Sequence, residues 1–294
     1  MNIFRIIRSI ITHPLNKGNK ILALWRFLRW QIGIWLLPYG IIYPFIEHTR
    51  FIAQKGLTSA TGNIYCGLFE YQDMLFLLHF LSEGDLFYDV GANIGTYTIL
   101  ASGVAHATSV AFEPTPSTFE MLRSNITLNN IESNVSLFNM GVGSTSGVVS
   151  FVATSDSERN HVAAGSEKNT ISVPLTTIDL EAKKYGVPLF IKIDVEGYET
   201  NVIQGMEETL QDHHLKVLLV ELNGSSVTYG LNENDIHAKI LKAGFLPYDY
   251  DPVSRSLKEL QLHGVHNTLY IRDHAFAAKR IVSARKITVL GKEF

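Results

Sequence analysis

The chain has one cysteine in 294 residues, Cys66, which excludes an internal disulfide framework and a cysteine-rich metal site. It has no acidic residue before Glu47, although Arg5, Arg8, Lys17, Lys20, Arg26 and Arg29 precede it. It has no uninterrupted long apolar run. The stretch from Trp30 to Ile46 approaches the lower limit for a membrane span, but Pro38 and Pro44 break it. The small-residue cleavage site of a secretory signal is missing. Asn-x-Ser/Thr triplets at Asn125, Asn134 and Asn223 therefore read as chance matches. A net charge of −3 gives no general case for a nucleic-acid partner.

What is present is a globular composition. A hydrophobic content of 46% with 18% charged residues supports a large core and argues against disorder. The length suits one α/β domain with an appendage. Residues 1–60 form the basic, aromatic-rich appendage, expected to be helical. A basic segment containing Trp25, Trp30 and Trp35 fits either a helix lying on an anionic membrane surface or one packed on the domain or in an oligomer.

Residues 61–274 form the main domain. Asn63 to Cys66 reads as a short strand, and apolar residues at helical spacing place a helix over Glu70 to Leu81. Strands and helices then alternate. Strands are expected at Leu86 to Val90, Thr108 to Phe112, Val135 to Asn139, Leu189 to Ile193 and Val217 to Leu222. Helices are expected at Tyr97 to Ala105, from an N-cap at Ser117, at Glu199 to Leu210 and at Glu233 to Ala243. Late strands follow near Phe245 to Tyr248 and Thr268 to Ile271. This alternation predicts a doubly wound, mostly parallel sheet. Gly141 to Thr154 reads as an inserted hairpin, Asp156 to Ser172 as a mobile loop over the site, and residues 275–294 as a less ordered basic tail.

The densest signal is Phe87-Tyr-Asp89-Val-Gly91-Ala-Asn93-Ile-Gly95-Thr96: a strand, an acid at its tip, a turn with two glycines, then a helix. Such a turn lets backbone approach a ligand. Asn93 replaces the middle glycine of the dinucleotide fingerprint. A carboxylate at Asp89 repels a pyrophosphate but attracts an ammonium and a sulfonium, which favours S-adenosylmethionine over NAD. Glu113, at the end of the next strand, has the spacing of a ribose ligand, the alternative being a helix N-terminal charge for the helix that Ser117 opens. Asn139 and Met140 end the third strand, where an adenine would lie, the alternative being a plain turn asparagine.

Leu189-Phe-Ile-Lys192-Ile-Asp194-Val-Glu196-Gly197 is the second signal. A lysine and two carboxylates on an apolar strand are costly unless paired or used. Asp194 and Glu196 are candidate bases for a hydroxyl, and the alternative is a structural Lys192–carboxylate pair with a helix cap. Glu221 and Asn223 extend the polar rim, and His161 is a candidate base from the loop. His213-His214 sits beside a helix end, where the helix dipole accounts for it. No spacing makes a metal site.

Together Asp89-Val-Gly-Ala-Asn-Ile-Gly95, Phe112-Glu-Pro114, Thr177-Ile-Asp-Leu180 and Ile191-Lys-Ile-Asp-Val-Glu-Gly197 resemble the FkbM family of S-adenosylmethionine-dependent methyltransferases. The similarity runs from about Tyr65 to Arg272. It implies a class I methyltransferase, Rossmann-like fold with a seven-stranded sheet, and O-methylation of a hydroxyl on a sugar, glycan or related metabolite. It maps Asp89, Gly91, Asn93 and Gly95 to the methionine end of the cofactor and Glu113 to its ribose, with Thr96 a further cofactor-binding candidate. It also makes Lys192, Asp194 and Glu196 the catalytic-side signature. Thr177-Ile-Asp179 departs from the family's usual Leu-Asp-Asp, leaving Asp179 as a helix start. A cytoplasmic enzyme, peripheral at the inner membrane surface through its N-terminal segment, is the expectation. The rivals are an NAD-dependent oxidoreductase and a catalytically silent membrane-peripheral protein.

Overall fold

The computed structural model describes residues 3–37, 39–54, 58–152, 161–163, 170–226, 232–264 and 266–294. Helices α1 (Ile3–Thr12) and α2 (Lys20–Leu36) lead into a hairpin of β1 (Ile41–Pro44) and β2 (Arg50–Ala53). Helix α3 (Thr58–Cys66) follows, where a strand was expected. The Asn63 to Cys66 stretch is too short to decide by periodicity, and its Ile64, Tyr65 and Cys66 bury against α2. This helix also crosses the boundary drawn at residue 60.

Helix α4 (Tyr71–Phe80) is apolar on nearly every face, because it lies between the sheet and the C-terminal helix. Then come β3 (Leu86–Val90), a short turn of helix α5 (Thr96–Thr98) that widens into π-helix over Ile99–Val104, and β4 (Thr108–Phe112). Helix α6 (Pro116–Leu128) starts one residue before Ser117, with Thr115 at the N-cap and Pro116 in the first turn. Strand β5 (Val135–Phe138) follows it.

The inserted element is larger than a hairpin. Strands β6 (Gly141–Val142), β7 (Gly147–Val152), β8 (His161–Val162) and β9 (Thr170–Thr176) form a four-stranded sheet in the order β6-β9-β7-β8. The expected mobile loop therefore contributes His161, Val162 and Thr170 to Ser172 to strands, and its remainder, apart from Ala163, lies outside the described residues.

The chain continues through α7 (Ile178–Tyr185), β10 (Phe190–Ile193), α8 (Glu199–Gln204), α9 (Glu207–Gln211), β11 (Val217–Glu221) and α10 (Glu233–Lys242). Strands β12 (Leu246–Asp251), β13 (Ser256–Glu259) and β14 (Asn267–Ile271) close the main sheet. Its order is β13-β12-β14-β11-β10-β3-β4-β5, with β14 antiparallel to both neighbours. Strands β5, β4, β3, β10 and β11 are parallel, and the order reverses between β3 and β10. This is the class I methyltransferase arrangement, with β13 as an added edge strand.

Alternation along the strands feeds two cores. Phe87 and Phe190 face α4, while Tyr88 and Ile191 face the layer holding Ile203 and Ile240. The tail is ordered as α11 (His274–Ser283) and a hairpin of β15 (Thr288–Val289) and β16 (Lys292–Glu293). Ile281, Ile287 and Val289 are buried in the α4 core, and Arg255 donates to the Phe294 carbonyl at 2.8 Å. Basic composition hid those anchors.

The N-terminal helices share one apolar cluster with the domain. Ala23, Phe27 and Trp30 of α2 are buried with Phe51, Ile64 and Ile99, and with Ile94 of the glycine turn. No helix among the described residues is long and apolar enough to cross a membrane. Asn125 is fully buried, bonding Ile94 O and the Ile52 N–H, as a chance triplet allows.

Candidate active site

A cavity of about 350 Å³ opens at the carboxyl ends of β3 and β10, beside the order reversal. Gly91, Asn93, Thr96, Glu113, Lys192, Asp194 and Glu196 line it, as do Glu221 and Asn223. Two long-range motifs of the sequence thus meet in one hollow.

The turn explains its own residues. Gly91, Asn93 and Gly95 have φ of +79°, +51° and +89°. A Cβ on Gly91 would stand 1.8 Å from the Asp194 carbonyl oxygen, so only glycine lets β3 and β10 end this close together. Asparagine tolerates the left-handed region, and its side chain accepts from the Ile94 N–H at 2.8 Å. Glu113 braces the turn from β4 by accepting from the N–H groups of Asn93 at 3.0 Å and Thr115 at 2.9 Å. Burial pushes the Glu113 carboxyl up to about 7, against those two bonds.

Lys192 is the cation of the wall. Its Nζ donates to Asp194 Oδ2 at 2.9 Å, lies 3.9 Å from Asp89 Oδ1, and sits 5.1 Å from the centre of the Tyr97 ring. Burial pulls the ammonium down, but Asp194, Asp89 and Glu70 outweigh it and hold Lys192 above the ordinary lysine value. Asp89 is fully enclosed, accepts from Thr98 Oγ1 at 2.7 Å, and does not line the cavity. The sequence reading put its carboxylate in the cofactor's path. In the fold it lies behind the wall and faces Lys192. Burial raises the Asp89 pKa against that lysine and Thr98.

Beyond Asp194 the chain turns sharply, with Glu196 at φ +54° and Gly197 at +97°. Glu199 holds this turn: its Oε1 accepts from the Val195 N–H at 3.0 Å and the Gly197 N–H at 3.1 Å. Burial pushes the Glu199 carboxyl up to about 7. Carboxylate oxygens of Asp194, Glu196 and Glu221 all lie within 4.8 Å of one another, close enough to share a cation or a polar ligand. Burial, then the charges of Asp194 and Glu196, push the Glu221 carboxyl strongly upward.

Other expected site residues stand apart. Gly95 packs behind the turn, where an added Cβ would strike Leu122. Asn139 spends its amide on the carbonyls of Glu113 and Pro114, at 2.9 and 3.0 Å, and so fixes the loop after β4. Met140 lines a smaller apolar hollow next door, with Phe112, Val162 and Leu175. His161 lies in β8, opposite Val152, and is not part of the cavity wall.

Sequence reasoning missed Glu70, Tyr97 and Phe151 in the wall, and Glu199 beneath it. Glu70 looks like a helix-start acid, yet it accepts from Asn267 Nδ2 at 2.7 Å across 197 positions of sequence. Glu199 had a local signal, an acid two residues after the glycine of a tight turn.

The wall fits a sulfonium cofactor: a glycine cradle, the carboxylates of Asp194 and Glu196 for cationic groups, and the buried Glu221 Oε2, which has no hydrogen-bond partner among the described residues. The Methyltransferase FkbM domain profile matches residues 89–247, more than half of the chain. The chain belongs to the FkbM methyltransferase family. Among similar proteins is the hexuronic acid methyltransferase AglP of Haloferax volcanii, 33% identical over 183 residues, 58% of this chain and 72% of that one. Another is the methyltransferase sdnD of Sordaria araneosa, 24% identical over 44% of this chain and 62% of that one. A solved structure, a precorrin-6y C5,15-methyltransferase from Geobacter metallireducens, aligns with a TM-score of 0.40 at 12% identity, over 74% of this chain and 91% of that one. As an FkbM protein, the chain is a methyltransferase that uses S-adenosylmethionine as its methyl donor, which sets aside the NAD reading and the silent binding protein.

Proposed function

We propose that this FkbM protein is an O-methyltransferase acting on a hydroxyl of a sugar or glycan, close to a membrane surface. The observation that carries the acceptor side is that Asp194 and Glu196 share a cavity with Gly91 and Asn93. The named activity of the Haloferax relative, on a hexuronic acid, supports a saccharide.

When bound, S-adenosylmethionine supplies an electrophilic methyl group. The turn from Gly91 to Thr96 would hold its methionine end and Glu113 its ribose. Lys192 would orient Asp194 through their hydrogen bond. Asp194 or Glu196 would take the hydroxyl proton as the oxygen attacks, with the carboxyl of Glu221 beside them. His161 enters this scheme only through the small sheet that carries it.

Methyl incorporation from labelled S-adenosylmethionine into nucleotide sugars and lipid-linked glycans tests the proposal. Label in a sugar ether supports it. Transfer confined to non-saccharide hydroxyls, or to nitrogen, overturns it.

A further inference from the structure

Helix α2 carries two apolar stripes on opposite sides. Ala23, Phe27, Trp30 and Ile34 recur at helical spacing; the first three are buried against the domain and Ile34 packs against the same cluster. Ile21, Trp25, Leu28, Ile32 and Trp35 recur in the same rhythm about half a turn away. These five are 84%, 56%, 46%, 48% and 80% exposed. A helix used only as packing needs one stripe. Among the described residues the second is an unpartnered face about 20 Å long, at roughly 1.5 Å per residue.

Charge decides what fits it. Arg5, Arg8, Lys17, Lys20 and Arg29 are exposed, and among the described residues none of them forms an ion pair. No acid occurs before Glu47. A second copy of α2 laid on the stripe would therefore bring cation against cation with nothing to offset them. A layer of anionic headgroups over acyl chains complements both features. Tryptophan near each end of the stripe suits an interfacial depth.

We propose that the outward face of α2 docks on an anionic phospholipid surface, with the helix lying in the plane. This sharpens the peripheral placement given above and is independent of which acceptor is methylated. The docked helix is also the platform of the cofactor turn, since Ile94 packs in the cluster built by Phe27 and Trp30.

The three tryptophans, Trp25, Trp30 and Trp35, all lie on α2, and only Trp30 is buried, so intrinsic emission reports this face. The full chain is mixed with vesicles of phosphatidylcholine alone or containing phosphatidylglycerol. Expected results are pelleting and a blue shift of emission only with phosphatidylglycerol, both weakened by salt. The double variant Leu28→Glu, Ile32→Glu should lose pelleting at least about tenfold while keeping its S-adenosylhomocysteine affinity, a charge at each position opposing interfacial burial. Equal pelleting of variant and wild type overturns the proposal, as does failure of the wild type to bind. A lipid-independent dimer that the double variant abolishes also overturns it, by assigning the stripe to a second copy.

Discussion

Lys192 on β10 is the register partner of Asp89 on β3, and its ammonium bridges that enclosed carboxylate to Asp194 at the cavity wall. The charge at the tip of β3 therefore reaches the site through a lysine rather than by direct contact. Replacing Lys192 with Met should leave Asp89 as a buried charge without a cation and cost about 3–5 kcal/mol in denaturant unfolding. Asp89→Asn keeps the Thr98 bond available and should cost less, while weakening cofactor binding through a displaced Lys192. If calorimetry gives Asp89→Asn the wild-type affinity and Lys192→Met the wild-type stability, the bridge has no energetic role.

Gly91 offers a steric test of the same junction. Alanine there meets the Asp194 carbonyl at 1.8 Å and must also adopt a φ of +79°. The backbone has to move, so Gly91→Ala should lose more than about 2 kcal/mol of stability and bind S-adenosylhomocysteine poorly. Gly84→Ala is the control, with a φ of +86° and open space around its Cβ. It should show only the strain term, about 1–2 kcal/mol. Equal losses in the two variants would remove close approach as the reason for Gly91.

The parallel sheet and its two signature turns were legible because their cause is local. Short, nearly continuous apolar runs ending in acid-glycine turns announce strand tips whatever surrounds them. Asn63 to Cys66 was misread because four residues carry no period, and its helix is decided by contact with Phe27 and Trp30. The wall residue Glu70 was hidden for another reason: its partner Asn267 is distant in sequence, and only the fold brings them together. Asp89 was visible as an acid, but not which side of the wall it would face. That depends on Lys192 occupying the space between.

Asp194 and Glu196 are separable by rate rather than by binding. The one that accepts the hydroxyl proton should lose roughly 10²- to 10⁴-fold in kcat as Asp194→Asn or Glu196→Gln. The other should show a smaller loss. Cofactor affinity, measured by calorimetry, should change far less than kcat in both variants. Wild-type turnover in both on a confirmed acceptor removes them from the chemistry.

Glu199 links the site to stability through pH. Its carboxyl stands at about 7 in the folded chain against an ordinary 4.5, because burial opposes the charge. A raised acid stabilises the fold fully below its unfolded value, and that contribution is lost as pH rises through the folded value. Unfolding free energy should therefore fall between about pH 4.5 and pH 7.5, with Glu113 adding to the slope from the same value of about 7. Glu199→Gln retains an oxygen for the Val195 and Gly197 N–H groups but cannot ionise. The variant should lose part of the slope and be on the order of 1–3 kcal/mol more stable than wild type at pH 8.5 relative to their difference at pH 5. Denaturant unfolding at the two pH values measures it. Parallel pH profiles for variant and wild type would mean that Glu199 is ionised throughout and that the turn after Asp194 is held as a charged cap.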